Sequence, residues 1–139
     1  MPRESAYKYL LDTNIVSALV RDPQGPVTRR IARAGEETIC TSIVVACELR
    51  FGAAKKASPK LTEQLERVLE ALPVLALETD ADRRYGELRA DLERAGMPIG
   101  ANDMLIAAHA LALGLTLVTD NVNEFRRVAS LPVRNWLES

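Results

Sequence analysis

The sequence predicts an α/β fold: a three-layer α/β/α domain with helices on both faces of a central parallel sheet. Three observations carry that expectation. Short apolar runs of strand length lie at 7–11, 38–40, 74–77, 115–119 and 133–137, and the segments between them repeat their apolar residues at helical spacing. Strands that alternate with helices imply parallel pairing with both sheet faces covered. The helical segments also carry start and stop signals: Ser42 and Ser58-Pro59 ahead of two of them, and Gly35, Gly96 and Gly114 behind three.

Tyr7, Tyr9, Leu10 and Leu11 read as a buried strand that ends at Asp12. Ile15, Val16 and Leu19 then recur at helical spacing over 13–20, with Thr13 or Asn14 able to cap the start. The run 22–26, Asp-Pro-Gln-Gly-Pro, breaks that helix, and 27–34 reads as a short basic helix closed by Gly35. After a strand at 38–40, Ser42 caps a helix over 43–55. On it Val44, Cys47, Glu48 and Phe51 fall at i, i+3, i+4 and i+7, which is one face. Three of the four are apolar, so Glu48 is expected to point toward the core side. Leu61, Leu65, Val68, Leu69 and Leu72 form the stripe of the next helix, stopped by Pro73. Thr79 is expected to cap a polar helix with Ala81, Tyr85, Leu88 and Leu92 on its inner side. A loop at 97–101 leads to Asn102, the expected cap of a strongly apolar helix over 103–113. Asp120 directly follows the strand at 115–119, and 121–128 reads as a short helix.

A chain of 139 residues, 47% of them apolar, fits one domain over 1–139, with 1–6 expected as a flexible N-terminal extension. No apolar run approaches the roughly 20 residues that cross a bilayer, and the N-terminus has no signal-peptide pattern. A cytoplasmic protein with no membrane partner is expected. Cys40 and Cys47 have apolar neighbours and match no zinc spacing, so both are expected to be buried thiols in a reducing compartment. A net charge of −1, from 18 basic and 19 acidic residues, is weak for a nucleic-acid binder. The bases are paired locally, however, at Arg29-Arg30, Lys55-Lys56, Arg83-Arg84 and Arg126-Arg127.

The chemistry lies in the acids. In open α/β sheets the functional crevice sits outside the carboxyl ends of the strands, where the strand order reverses. Asp12 and Asp120 each follow a strand. Asp103 stands in the first turn of a helix, where the macrodipole favours negative charge. Glu48 lies on an apolar face. Four carboxylates brought together repel one another, and a hard divalent cation, Mg²⁺ or Mn²⁺, relieves that repulsion. Metal-activated water cuts phosphodiesters without a Ser, Cys or His nucleophile. The single histidine, His109, lies inside an apolar helix and reads as a packing residue. Each acid also has a plainer reading: Asp12 as a turn cap, Asp103 as helix-start charge, Glu48 as a partner of Arg50. The set points to a nuclease more strongly than any member does.

The chain resembles the PIN-domain ribonucleases, most closely the VapC toxins of prokaryotic toxin–antitoxin pairs. Leu11-Asp12-Thr13-Asn14, Glu48-Leu49-Arg50-Phe51-Gly52, Asn102-Asp103-Met104-Leu105-Ile106-Ala107-Ala108-His109-Ala110 and Thr119-Asp120-Asn121 with Glu124-Phe125 look like the family's four motifs in order. The resemblance implies a PIN-like fold and a Mg²⁺-dependent endoribonuclease that arrests translation. Asp12, Glu48, Asp103 and Asp120 are then the metal-site and catalytic acids, with Thr13 and Asn121 as supporting polar residues and Glu124 as an outer acid. It also implies a cognate VapB-type antitoxin, operator DNA contacted only through that antitoxin, a homodimer, and an RNA substrate such as initiator tRNA. The alternatives are another metal-dependent phosphoryl hydrolase and a non-catalytic PIN-like binding module. Asn14 stands where an aspartyl phosphatase would have its second Asp.

Overall fold

The computed structural model describes residues 6–137, so nearly all of the expected N-terminal extension lies outside the described residues. The strands are β1 (Tyr9–Leu11), β2 (Ile39–Ser42), β3 (Val74–Leu75), β4 (Thr116–Val118) and β5 (Val133–Arg134). They form one parallel sheet in the order β3-β2-β1-β4-β5. The chain steps outward from β1 to β3, then returns to the other side of β1 for β4 and β5. That reversal opens a crevice at the carboxyl ends of β1 and β4. The register sets Leu11 beside Val118, and the Asp12 N–H donates to the Val118 carbonyl at 2.8 Å. Asp12 and Thr119 therefore leave the sheet as neighbours.

Among the described residues, seven α-helices cover the sheet: α1 (Thr13–Arg21), α2 (Pro26–Ala34), α3 (Ile43–Lys56), α4 (Pro59–Ala71), α5 (Ala81–Arg94), α6 (Ala101–Leu113) and α7 (Val122–Phe125). Right-handed crossovers running in opposite directions from β1 place their helices on opposite faces. In accord with this, α1 touches α2, α3 and α4, while α5 packs along α6. Leu10, Leu11, Ile15, Ile39, Ile106, Leu117 and Phe125 between the layers are essentially sealed from solvent. Each such side chain contributes roughly 1.5–3 kcal/mol by burial, so the strand that ends at Asp12 is a stiff mount.

Several helix starts differ from expectation. Asp12, not Thr13 or Asn14, occupies the N-cap position of α1, and its side chain makes no capping bond. The N-cap of α5 is Asp80, at a φ of 85°, rather than Thr79. Helix α6 begins two residues early: Gly100 is its N-cap and Asn102 lies within the first turn. A side chain at 100 would crowd Asp103, whose Oδ2 lies 3.4 Å from where a Cβ would stand. Thr38 belongs to a 3-10 turn (Glu36–Thr38) rather than to β2. Ser42 and Ser58 do cap α3 and α4, accepting from the Val44 and Leu61 N–H groups.

The face expected on α3 is the largest correction. Cys47 is exposed, and Phe51 is 67% exposed. The buried side is made of Val44, Val45, Ala46 and Ala53, while Ile43, Cys47 and Phe51 run along the outside at i, i+4 and i+8. This helix has apolar residues all round, so periodicity could not choose between its faces. Glu48 falls at the boundary and is half-buried. Of the two thiols only Cys40 is buried, and burial pushes it up to about 12.

Candidate active site

Asp12 is only 4% exposed at the end of the central strand. Its Oδ2 accepts a hydrogen bond from the Thr119 hydroxyl at 2.7 Å, across the β1/β4 junction. Its Oδ1 is buried and has no hydrogen-bond partner. Leaving a buried acceptor unmatched costs about 1–3 kcal/mol. Burial raises the Asp12 pKa above its ordinary value, and the nearby charges of Glu48 and Asp120 add to the rise. The Thr119 hydroxyl and the Thr13 N–H oppose it, without the latter bonding Oδ1. The Thr119 hydroxyl is itself held in place by accepting the Asn121 N–H at 3.0 Å.

The first turn of α1 orients two further acids. Thr13 Oγ1 donates to Glu48 Oε1 at 2.7 Å, and Asn14 Nδ2 donates to Asp120 Oδ1 at 2.9 Å. Because α1 starts directly at the Asp12 strand end, one turn of backbone links three carboxylates. Arg50 does not neutralise Glu48: its guanidinium pairs with Glu66 on α4.

Asp103 faces these residues from the first turn of α6. Its pKa is raised to about 7, by partial burial first, then by Glu124, then by Asp12, with a hydrogen bond to Glu124 and the charge of Glu48 also contributing. Glu124 is fixed from two sides, its Oε1 accepting the Gly100 N–H at 3.2 Å and its Oε2 accepting from Asn121 Nδ2. The Glu124 carboxylate beside it therefore helps hold the proton on Asp103 up to near neutral pH.

At the β1/β4 crevice Asp12 lies within electrostatic reach of Glu48, Asp103 and Asp120, and Asp103 within reach of Glu48. Among the described residues, no three His, Cys, Asp or Glu side chains already stand in an arrangement able to hold a metal ion. The carboxylates are instead spread onto separate neutral donors. His109 is away from this centre, buried with its Nδ1 at 2.8 Å from Ser42 Oγ; burial lowers its pKa, so it is neutral and structural. Two residues that touch the acids carried little sequence signal. Thr119 reads as an ordinary β-branched strand residue, and Asn14 reads as a helix-start residue. Their clues were place in the chain, Thr119 next to Asp120 and Asn14 two residues after Asp12, and membership of the first and fourth motifs.

Comparison with known proteins agrees with this geometry. The PIN domain matches residues 9–131. A protein named ribonuclease VapC2 from Rickettsia felis is 39% identical over 130 residues, covering 92% of this chain and 97% of its own length. A Shigella flexneri protein named tRNA(fMet)-specific endonuclease VapC is 35% identical over 130 residues, covering 93% of this chain and 98% of its own length. Among solved structures, VapBC2 from Rickettsia felis bound to a DNA fragment from its promoter superposes with a TM-score of 0.85 at 35% identity, covering 92% of this chain and 98% of that one. A PIN match over most of the chain, and relatives of this identity matched nearly end to end, establish that the chain belongs to the PIN-domain family, among the VapC ribonucleases.

Proposed function

We propose that this protein is the toxin of a type II toxin–antitoxin pair, an endoribonuclease that hydrolyses RNA phosphodiesters with a divalent metal ion and so arrests translation. The observation that carries the chemistry is the orphaned Asp12 Oδ1, a buried anionic oxygen aimed into a crevice shared with Glu48, Asp103 and Asp120. An all-oxygen donor set of this kind suits a hard cation, Mg²⁺ or Mn²⁺. Asp12, Glu48, Asp103 and Asp120 would hold it. When bound, such an ion lowers the pKa of water and stabilises charge on the phosphoryl and leaving oxygens.

The chain's own residues prepare the site. Thr119 fixes the Asp12 carboxylate, Thr13 fixes Glu48, and Asn14 fixes Asp120. Asn121 supports the centre one step out, through Glu124 and the Thr119 hydroxyl. Asp103, beside Glu124, holds a proton at the crevice edge up to about pH 7. A single-stranded RNA loop fits such a cleft, because its bent backbone can enter it. The name of the Shigella relative directs attention to initiator tRNA.

The partners follow from the same kinship. A VapB-type antitoxin blocks the toxin, and operator DNA is contacted through that antitoxin, as the promoter-bound VapBC2 neighbour suggests. Homodimerisation has a surface available: exposed Ile43 and Phe51 of α3 line an open apolar cavity with Leu105 of α6. No helix among the described residues is long and apolar enough to cross a membrane, and a toxin acting on tRNA works in the cytoplasm.

The test uses purified toxin free of antitoxin, with initiator and elongator tRNAs side by side. Cleavage is expected with Mg²⁺ or Mn²⁺, is lost in excess chelator and is lost in Asp103→Ala. Undiminished cutting by that variant, or in chelator, overturns the metal mechanism.

A further inference from the structure

A groove of about 280 Å³ leaves the carboxylate centre between α1, α3 and α4, beginning at Thr13 and Glu48 and reaching Arg21 and Lys56. Its two walls repeat one pattern. On α1 the i, i+4 and i+8 positions are Thr13, Ser17 and Arg21, and on α3 they are Glu48, Gly52 and Lys56. Each ridge passes from a site residue, through a small residue, to a cation. At 1.5 Å per residue, each cation lies roughly 12 Å along its helix from the site. Leu61 and Leu65 of α4 add an apolar floor.

Two facts bear on what this groove can hold. Among the described residues, neither Arg21 nor Lys56 is in a salt bridge, and Arg21 Nε donates to the Ser17 carbonyl of its own helix at 3.4 Å. Both cations end a helix, where the dipole favours positive charge, but the dipole does not account for both lying on the groove. The second fact is Gly52. A glycine inside a helix is destabilising by roughly 0.5–1 kcal/mol relative to alanine, and here a Cβ would meet no atom within 4 Å. Gly86 on α5 is equally open, so what Gly52 adds is free space on the groove wall, which a large side chain there would fill.

We propose that this groove seats the RNA strand next to the scissile phosphodiester, with Arg21 and Lys56 against backbone phosphates and the Leu61–Leu65 floor beneath a base. The inference rests on the ribonuclease function above and specifies where its substrate lies. A strand whose cut phosphate sits among four acids needs cations to receive phosphates further along it, and these two lie roughly 12 Å away, about three to four stacked nucleotides at 3.4 Å each. A cation pair with an apolar floor is complementary to a nucleic-acid strand. The same groove filled by an antitoxin segment is the competing occupant.

The test compares the wild-type toxin with Arg21→Gln/Lys56→Gln and with Gly52→Leu. Binding of a labelled uridine oligonucleotide of about 14 residues is followed by anisotropy in chelator at several salt concentrations, with tRNA cleavage in Mg²⁺ in parallel. The double variant is expected to bind about tenfold more weakly, with its salt slope reduced by about 1.4, or 0.7 for each lost phosphate contact. Its KM rises by a similar factor while kcat stays within about twofold. Gly52→Leu is expected to lose binding with an undiminished Tm. Wild-type binding and salt slope in the double variant, with antitoxin affinity alone reduced, would assign the groove to the antitoxin and overturn the proposal. So would Gly52→Leu that lowers Tm but leaves binding intact. Failure of the wild type to cut any RNA would instead overturn the ribonuclease reading.

Discussion

Asp12 and Asp103 carry the same charge into the same crevice, yet they are held in different ways. Asp12 ends a sealed central strand, with its backbone N–H bonded to Val118 and one oxygen bonded to Thr119. It has almost no solvent and little freedom to move. Asp103 stands on a helix start at the rim, half-buried, against Glu124 and the bare backbone of Gly100. The inner acid is fixed by geometry, and the outer acid is tuned by partial burial and the neighbouring carboxylate. Stiff strands supply position, while helix starts and loops supply adjustable charge.

The largest effect should come from the inner half. Asp12→Asn is expected to lower cleavage by on the order of 10³-fold, the scale of losing a directly acting group. The melting temperature in chelator should not fall, because a buried charge is removed along with its carboxylate. Initial rates and thermal melts on one preparation check both. If Asp12→Asn cuts within tenfold of wild type, the contrast between the halves is broken.

A smaller effect separates the two sets of supporting groups. Thr119→Val strips the donor from Asp12 Oδ2 and should cost about 1–3 kcal/mol in chemical denaturation. Activity should drop about 10–100-fold, as when a ligand's hydrogen-bond partner is lost. Asn121→Ala, on the exposed rim, should change stability by no more than about 0.5 kcal/mol. Equal effects from the two substitutions would erase the distinction between rigid and adjustable halves.

The smallest effect is a pH dependence. Asp103 binds its proton more tightly folded than unfolded, at about 7 against an ordinary 3.8. Between those values the folded protein holds more proton, so metal-free stability falls as pH rises through the window and levels off above about 7. Because Asp103 is partly exposed, solvent screening keeps the slope shallow. Asp103→Asn should remove this part of the slope, and Glu124→Gln should shift it to lower pH. Melts in chelator from pH 4 to 8 would sharpen the picture, and identical slopes in all three proteins would sink it.

The strand ends were legible because burial and chain direction are both written into short apolar runs. Asp12 and Asp120 could be placed at the crevice by that rule alone, and Ser42, Ser58 and Gly114 marked helix ends by their own chemistry. Cap positions at Asp12, Asp80 and Gly100 were not legible, since each depends on how the chain arrives from a neighbouring element. The outward turn of Cys47 and Phe51 was hidden for another reason: α3 is apolar on both sides, and only tertiary packing chooses between them. Glu48 was placed near the site on a stripe that does not exist as drawn, so its position was right for an incomplete reason. The hydrogen bonds from Thr119, Thr13 and Asn14 span separations of 107, 35 and 106 residues, and no local pattern encodes such partners.

Those separations also bear on the protein's synthesis. Thr119 leaves the ribosome 107 residues after Asp12, and β1 pairs with β4 along its whole length. A nascent chain stopped before residue 116 carries at most the first three acidic motifs and no complete site. Contacts this distant in sequence form late and slowly. A protein that destroys RNA therefore has no complete site until β4 has been made and paired with β1, long after its first acidic motif has been translated.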